Sequence, residues 1–233
     1  VAVMRRDKVI AGDKIKRGLA IVGLSSAGKA TYEDSENSGI GSNGLTSARH
    51  DILCPYYREK YPETFDAGVD EKLVYCGPYK LEDKLEGSSM TIAQALLSPT
   101  RTYAPVIMKI MKKHPGLIKG LVHCSGGGQT KCVRFGKSVH FVKDNLMDVP
   151  PIFKAIQKAS GTSDREMFEV YNMGHRMEVY CSKSDAKKVI DIAESYAVEA
   201  RVIGHTEKSA RPDRKNHVSV KYAGKTLEYG PRD

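Results

Sequence analysis

Two glycine clusters constrain this chain more than any other feature. The first occupies residues 38–44 (SGIGSNG) and precedes a stretch with helical periodicity, and the second occupies residues 123–128 (HCSGGG) and follows apolar Leu121 and Val122. Glycine lets the backbone approach a ligand closely, and unpaired N–H groups at a helix start attract anions. Two such loops in 233 residues make a phosphate-bearing substrate the first hypothesis.

The order of periodic segments predicts the fold class. Residues 18–24 form a continuous apolar run typical of a buried strand, and apolar residues recur at helical spacing from Leu45, with Ser42 or Asn43 as the expected cap. Strand and helix patterns then interleave, residues 65–87 are expected to be irregular, and a hairpin is expected at the C-terminal end. We therefore expect an α/β (α+β) structure, a mixed sheet with helices packed on it, in one domain over residues 1–233.

Composition and cysteine usage bear on compartment and cofactor. No apolar run approaches the roughly 20 residues of a membrane span, and the opening residues do not resemble a signal peptide. The five cysteines are odd in number and no pair has CxxC spacing, which favours reduced thiols in the cytoplasm over disulfides or a zinc ribbon. We expect a cytoplasmic protein with no membrane partner and no bound structural metal.

The net charge of +9 favours an anionic partner. The basic residues are mostly scattered, there is no tryptophan, and no aromatic ladder accompanies them. These features disfavour binding to single-stranded nucleic acid, and we expect a phosphorylated metabolite as the partner.

The first loop offers both backbone and side-chain donors. Gly41 and Gly44 free the backbone, Ser42 and Asn43 add polar side chains, and Arg49 lies seven residues after Ser42, about two helical turns on. A guanidinium suits a phosphate or carboxylate. Taken by spacing alone, an ordinary glycine-rich turn is an equally good interpretation.

The second loop adds a histidine and a thiol. His123 can orient a substrate or transfer a proton, although a lone histidine at a strand end is more often structural. Cys124 is better explained as a small buried residue than as a nucleophile, since no motif pairs it with a base. Ser125 and Gly126–Gly128 would form the backbone cradle.

Two further groups could contribute to an anion site. Thr100 and Arg101 flank a predicted helix start, and Asn172 and Gly174 occupy a turn between a predicted helix and a strand, where Gly174 could simply end the helix. No Walker, HExxH or GxSxG motif is present, and the seven histidines lack metal-ligand spacing.

Together these stretches resemble the aminoimidazole ribonucleotide synthetase family, also called phosphoribosylformylglycinamidine cyclo-ligase. Five stretches of the chain are similar to family motifs and occur in the same order: Ser25-Ser26 with SGIGSNGLTSAR at 38–49 (family SSGxHSNGxSLVR), LLSPTRTY at 96–103 (LLxPTxIY), HCSGGG at 123–128 (HITGGG), PIF at 151–153 (PxIF) and NMG at 172–174 (FNMG).

The resemblance implies the C-terminal half of a two-domain subunit. The family's N-terminal half, which binds ATP and Mg²⁺, has no counterpart here, so we expect a partner chain or a longer protein to supply it, and a homodimer is possible. The implied reaction is ATP-dependent ring closure of a phosphorylated ribonucleotide in purine biosynthesis. The implied catalytic residue is His123, and the implied substrate and phosphate ligands are Ser25, Ser26, Gly41, Ser42, Asn43, Gly44, Arg49, Thr100, Arg101, Ser125, Gly126, Gly127, Gly128, Asn172 and Gly174.

The chain departs from the family pattern at several places. Gly41 stands where the family's HSNG has histidine, and the family's NMGIGM is NMGHRM here, which adds His175 and Arg176. An insertion at residues 29–37 separates the double serine from the first loop. These departures indicate a divergent subgroup.

Two alternatives stay open. The first is another ATP-dependent member of the same superfamily with a different substrate, of the amidotransferase synthetase or small-molecule kinase type. The second is a non-catalytic module that binds anions or nucleic acid.

Overall fold

The computed structural model describes residues 3–42 and 44–230. Asn43, one of the predicted ligands, therefore lies outside the described residues. The strands are β1 (Leu19–Ser25), β2 (Ala27–Gly28), β3 (Asn37–Ser38), β4 (Gly120–His123), β5 (Val139–Lys143), β6 (His175–Ser182), β7 (Ala200–Lys208), β8 (His217–Tyr222) and β9 (Lys225–Tyr229). The α-helices are α1 (Leu45–Ile52), α2 (Tyr56–Lys60), α3 (Ile92–Leu96), α4 (Ala104–Lys113), α5 (Pro151–Ser160), α6 (Asp164–Val170) and α7 (Ala186–Glu194).

Seven strands form one mixed sheet in the order β4-β6-β1-β7-β5-β8-β9. All neighbouring pairs are antiparallel except β5 and β8, which run parallel with His140 opposite His217. Strands β2 and β3 form a separate two-stranded ribbon. The predicted mixed sheet with helices packed on it is confirmed.

Helices cover both faces of the sheet. On β1, Ile21 belongs to one apolar cluster and Val22 to the other, as the period of two requires. The cluster around Ile21 includes buried residues of α1, α3, α5 and α6, and the cluster around Val22 includes those of α4 and α7. Both faces of β1 are buried, and this explains why its sequence is a continuous apolar run.

Local sequence explains where the helices lie. In α4, Val106, Ile107 and Ile110 are buried at helical spacing while Met108 is exposed, and Lys112 and Lys113 occupy the last turn, where cations favour the helix dipole. Helix α3 begins with a capping box in which the Thr91 hydroxyl accepts from Gln94 N at 3.2 Å.

Helix α1, residues 65–87 and the C-terminal hairpin were each predicted from local sequence. The helix predicted from Leu45 is confirmed, but its cap is not Ser42, because the N-cap residue is Gly44 in the left-handed region with no side-chain cap. Residues 65–87 contain a 3-10 helix at Glu71–Leu73 and no α-helix or strand, and the C-terminal hairpin forms as β8 and β9. Within the described ranges, no helix has both the length and the apolar character needed to cross a bilayer.

Candidate functional site

The first glycine loop, residues 38–44, links the β2–β3 ribbon to helix α1. Its start is held by Ser38, whose hydroxyl donates to Ala95 O at 2.7 Å. Near its end, Ser42 N donates to the Thr100 hydroxyl at 3.1 Å, and the two hydroxyls lie 3.4 Å apart. The structure therefore brings together Thr100 and Ser42, two of the predicted ligands that are far apart in sequence.

The double serine lies behind this loop. The Ser25 hydroxyl donates to Ala27 O at 2.8 Å, so it closes a local turn. Ser26 is buried and its Oγ has no hydrogen-bond partner among the described residues, although a β-carbon on Gly39 would lie 2.7 Å from it. An unpaired buried hydroxyl costs free energy, so Ser26 Oγ is an unsatisfied polar group next to the first loop.

The second glycine loop, residues 123–128, connects β4 to a 3-10 helix at Gly128–Arg134. Ser125 N donates to His123 O at 2.7 Å, whereas no acceptor within the described part of the chain takes the N–H groups of Gly126 and Gly127. Both glycines have positive φ, +60° and +128°. Successive free N–H groups in such a turn form a concave donor surface for an anion.

Gly128 ends this loop under tight constraint. Its φ is +48°, and a β-carbon there would lie 2.5 Å from the carbonyl oxygens of both Phe168 and Tyr171. Only glycine meets both conditions. The triple glycine is therefore explained partly by packing and partly by the exposed donors before it.

Residues 171–176, which we call the bridging segment, attach both loops. On the side of the first loop, Asn172 Nδ2 donates to Gly39 O at 2.8 Å. On the side of the second, Gln129 Nε2 donates to Asn172 O, and Cys124 N donates to Arg176 O at 2.6 Å. The two glycine loops, separated by about 80 residues of sequence, are therefore neighbours in the structure.

Arg176 provides a positive charge at the junction, the place where the bridging segment meets the two glycine loops. Its side chain is 2% exposed, and Nη2 donates to Gly39 O at 2.8 Å and Ile40 O at 2.6 Å. Nε and Nη1 donate to no acceptor, and no carboxylate lies within 4.0 Å of the guanidinium, over residues 3–42 and 44–230. A buried cation with no counter-anion is costly, so this junction carries an unbalanced positive charge.

His123 ends β4 and lies within the electrostatic influence of that charge. Its Nδ1 is 2.9 Å from the Ser125 hydroxyl, and its ring packs edge-on against Tyr103 with centroids 6.4 Å apart. Burial lowers the pKa of His123, and the charges of Arg176 and Lys131 lower that pKa further. A neutral imidazole with one nitrogen held by Ser125 can offer the other to a substrate.

Arg101 does not face the loops, in contradiction to its predicted role. Its Nε and Nη2 bind the carboxylate of Glu33, and its remaining N–H groups donate to backbone carbonyls of Ser25, Ala27 and Gly28 at 2.7–3.0 Å. All five donors of the guanidinium are used, so none is left for a phosphate. The prediction that Arg101 supplies charge to a bound anion is wrong for this structure, and Arg101 instead anchors the inserted segment that carries Glu33.

Arg49 also points away from the junction. Its Nη1 lies 3.4 Å from the Tyr75 hydroxyl and 3.5 Å from Thr64 O, and it lines a cavity of about 550 Å³. The walls of that cavity include α1, α2 with Tyr57, and the irregular segment. It contains no residue of either glycine loop. The expectation that Arg49 shares a site with Ser42 does not agree with this placement.

Asn172 and Gly174 support the loops from behind. Asn172 is buried, and its Oδ1 accepts from Gly174 N at 3.1 Å while its Nδ2 holds Gly39 O. Gly174 O accepts from Ser26 N at 2.9 Å. Both predicted ligands therefore position the loops through hydrogen bonds within the protein.

A buried polar cluster lies under the bridging segment. Lys143 Nζ contacts Glu178 Oε1 at 2.5 Å and Gln129 O at 2.6 Å, and the Tyr180 hydroxyl donates to Glu178 Oε2 at 2.6 Å. Burial alone would raise the pKa of Glu178, but Lys143 and His175 hold that pKa well below its usual range. This cluster is a matched ion pair that supports β5 and β6.

Cys124 belongs to the same cluster. Its Sγ donates to Glu178 Oε1 at 3.3 Å, and burial, followed by the charge of Glu178, raises its pKa well above the usual value. A thiol of this kind is a poor nucleophile, in agreement with the structural role expected for Cys124.

Among the residues that the structure describes, two groups of side chains have the proximity of metal ligands. They are Cys124 with His175 and Glu178, and His140 with His217 and Glu228. Mg²⁺ prefers oxygen ligands, and each group offers only one carboxylate. Neither group fits Mg²⁺, and Lys143 already neutralises Glu178 in the first.

Comparison with known proteins places the chain in a family. Residues 77–215 match the family described as "AIR synthase related protein, C-terminal domain". The chain belongs to this AIR synthase related family. Its curated relatives include the phosphoribosylformylglycinamidine cyclo-ligase of Methanococcus vannielii, 36% identical over 230 residues that cover 97% of this chain and 56% of that protein.

A second relative extends this comparison. The phosphoribosylformylglycinamidine cyclo-ligase of Methanocaldococcus jannaschii is 34% identical over 204 residues, which cover 88% of this chain and 49% of that protein. Among solved structures, T. maritima PurL complexed with FGAR matches with a TM-score of 0.49 and 15% identity, covering 97% of this chain and 29% of that one. This member of the AIR synthase related family thus spans about half the length of its curated relatives.

Three residues of the site were missed or under-weighted in the sequence. Arg176 belongs to the turn that was predicted to contribute to an anion site, but it was not among the predicted ligands, and Glu33 and Gln129 were not singled out. A sequence signal exists for Arg176, because the resembled family motif has glycine at this position and the chain has a charged residue there. Glu33 and Gln129 are ordinary polar residues whose roles depend on distant partners.

Proposed function

We propose that this chain is the C-terminal, substrate-binding half of an ATP-dependent phosphoribosylformylglycinamidine cyclo-ligase. The observation that carries the proposal is the attachment of both glycine loops to one bridging segment, which concentrates free N–H groups and a positive charge. The names of the curated relatives support the same reaction.

The proposed reaction closes an imidazole ring. ATP transfers its terminal phosphoryl group to the formyl oxygen of formylglycinamidine ribonucleotide and leaves as ADP. The amidine nitrogen then attacks the activated carbon, the bond from that carbon to oxygen breaks, and inorganic phosphate leaves with the former formyl oxygen. Such chemistry requires positioning and stabilisation of phosphoryl charge more than covalent catalysis.

The described residues would divide these tasks. The free N–H groups of Gly126 and Gly127, with the hydroxyls of Ser42 and Thr100, would hold the substrate phosphate or the transferred phosphoryl group. His123, kept neutral by its surroundings, would orient the substrate or exchange a proton at its unbound ring nitrogen.

ATP and Mg²⁺ would bind mainly outside this chain. The side-chain groups with metal-ligand proximity do not suit Mg²⁺, and the chain covers only 56% of the M. vannielii relative. We therefore expect a longer protein or a partner chain to supply the nucleotide site, in a cytoplasmic enzyme that can form a homodimer.

Binding and turnover test the proposal in two steps. Formylglycinamidine ribonucleotide should raise the melting temperature of the chain more than inorganic phosphate at the same ionic strength. The chain should not turn over alone but should form the imidazole product with ATP, Mg²⁺ and the remaining portion of the M. vannielii enzyme. Absence of any protection by the ribonucleotide would contradict the substrate assignment, and robust turnover by the chain alone would contradict the assignment as a half.

The same experiment separates the alternatives. Protection by a different phosphorylated metabolite would favour another ATP-dependent member of the superfamily. Binding to nucleic acid with a steep salt dependence and no metabolite effect would favour a non-catalytic module.

A further inference from the structure

We propose that Arg176 is the anion receptor of this site and that it binds a phosphate-class oxyanion through Nε and Nη1. Arg176 is not among the ligands that the family resemblance implies. The inference depends on the proposed function only in identifying that oxyanion as the phosphate of the substrate.

Arg176 differs from the other buried cations near the loops in its charge balance. Arg101 and Lys143, the other buried cations near the loops, each contact a carboxylate, at 2.7 Å and 2.5 Å. Arg176 is as buried as these two, but no carboxylate among the described residues pairs with it, and only Nη2 donates hydrogen bonds. A guanidinium stays protonated even when burial lowers its pKa. An oxyanion would supply the missing counter-charge.

The guanidinium of Arg176 contacts the first loop, and the backbone of Arg176 contacts the start of the second. Nη2 holds the carbonyls of Gly39 and Ile40, which fixes the plane of the guanidinium against the first loop. The backbone of the same residue accepts from Cys124 N beside the second loop. Arg176 also lowers the pKa of His123 by its charge, so the two side chains are electrostatic neighbours. A ligand bound to Nε and Nη1 would therefore lie where the bridging segment meets the two loops.

The departures from the family pattern at Gly41 and Arg176 are explained together by the space that these two positions share. A β-carbon on Gly41 would overlap Nη1, Nη2 and Cζ of Arg176. Position 41 has glycine where the resembled motif has histidine, and position 176 has arginine where that motif has glycine. One of the two positions must be small because their side chains compete for the same space. We infer a reciprocal exchange in which the polar group of the first loop is now supplied from β6.

Thermal unfolding with inorganic phosphate tests the receptor directly. For the wild-type chain, phosphate at tenfold excess over its dissociation constant should raise the melting temperature by about 3–6 °C relative to chloride at equal ionic strength. Absence of a shift at any phosphate concentration up to tens of millimolar would overturn the inference.

The charge variant locates the effect. Arg176→Gln should weaken phosphate binding by about tenfold to a hundredfold and reduce the shift to less than about 2 °C at the same phosphate concentration. Lys112→Gln removes one exposed positive charge at the end of α4 and should leave the shift unchanged. A full shift in Arg176→Gln would overturn the inference.

The reciprocal exchange provides a variant test that does not depend on Arg176→Gln folding. Gly41→His should lower the melting temperature strongly in the wild-type chain but much less in an Arg176→Gly background. An equal loss in both backgrounds would show that the two positions do not share space and would overturn this part.

The outcomes distinguish this inference from the proposed function. If the ribonucleotide protects the wild type and Arg176→Gln equally, Arg176 is not the receptor while the proposed function stands. If phosphate protects through Arg176 but the ribonucleotide adds nothing, the receptor stands and the proposed substrate is wrong.

Discussion

Arg101 and Glu33 are joined by two hydrogen bonds, 2.8 Å from Nε to Oε1 and 2.7 Å from Nη2 to Oε2. Glu33 lies in the insertion that interrupts the resemblance between the double serine and the first loop. The insertion thus brings the carboxylate that neutralises Arg101, whose side chain is 1% exposed.

We expect Glu33→Gln to lower the free energy of unfolding by about 3 kcal/mol, because it leaves the Arg101 charge buried without a counter-charge. Asp34→Asn changes an exposed carboxylate of the same insertion and should cost less than about 0.5 kcal/mol. Urea unfolding at pH 7 measures both, and equal effects would show that the ion pair is not important for stability.

The pair of Lys143 and Glu178 should show strong energetic coupling. Glu178→Gln leaves the buried Lys143 ammonium unbalanced and should cost about 3–5 kcal/mol. Adding Lys143→Met removes that charge, so the double variant should lose much less than the sum of the single losses. Glu194→Gln, at the exposed end of α7, is the control, and additive losses in the double-mutant cycle would contradict the coupling.

Stability should fall as pH decreases through the range where histidine titrates. Burial lowers the pKa of His175, against an opposing effect of Glu178 and with a further lowering by Lys143. Below the unfolded-state pKa of about 6.5, the unfolded chain binds a proton that folded His175 does not, so the free energy of unfolding decreases.

The variant His175→Asn isolates that contribution. Between pH 7 and pH 5, its loss of unfolding free energy should be smaller than that of the wild type by about 1–2 kcal/mol. His114→Asn, at the end of α4, serves as the control and should keep the wild-type slope. An unchanged slope in His175→Asn would contradict a neutral buried imidazole.

Gly128 and Gly161 form a matched pair of left-handed glycines. Alanine at Gly161, φ +69° with open space around it, should cost about 1 kcal/mol from backbone conformation alone. Alanine at Gly128 meets two carbonyl oxygens at 2.5 Å and should cost about 3 kcal/mol. Urea unfolding compares the two, and similar losses would mean that the second loop relaxes away from Phe168 and Tyr171.

Thiol labelling should divide the cysteines by burial. Cys76 is exposed and Cys54 half-buried, whereas Cys124, Cys132 and Cys181 are buried. Burial raises the pKa of Cys132 to about 12 and that of Cys181 to about 11. A thiol reagent at pH 8 should modify Cys76 first and the three buried thiols only on unfolding, with Cys76→Ser removing the fast phase. Rapid modification of native Cys124 would contradict its structural role.

Much of the secondary structure was predictable from local pattern. Helix α4 follows from apolar residues at helical spacing behind Pro105, and β1 from its apolar run. The positions of both glycine loops were also predictable, because turns with positive φ require residues without a β-carbon. The mixed character of the sheet followed from the interleaving of strand and helix patterns.

The functions of the arginines were not predictable in this way. Arg49 follows the first glycine loop on the same predicted helix, and Arg101 precedes the start of α4, so the sequence favours an anion ligand at both. One nevertheless faces a separate cavity, and the other binds a carboxylate 68 residues away. The sequence contains no record of which acid meets which base, since that pairing depends on contacts formed only after the chain has folded.

The sequence alone determined where the two glycine turns lie, that the sheet is mixed and which family the chain resembles. Each of these depends on residue type and on spacing along the chain. Only the tertiary structure decided that Arg176 carries a buried charge that no carboxylate among the described residues pairs with. Burial and counter-charge are properties of a three-dimensional neighbourhood, and here that neighbourhood forms where β6 passes between the two loops.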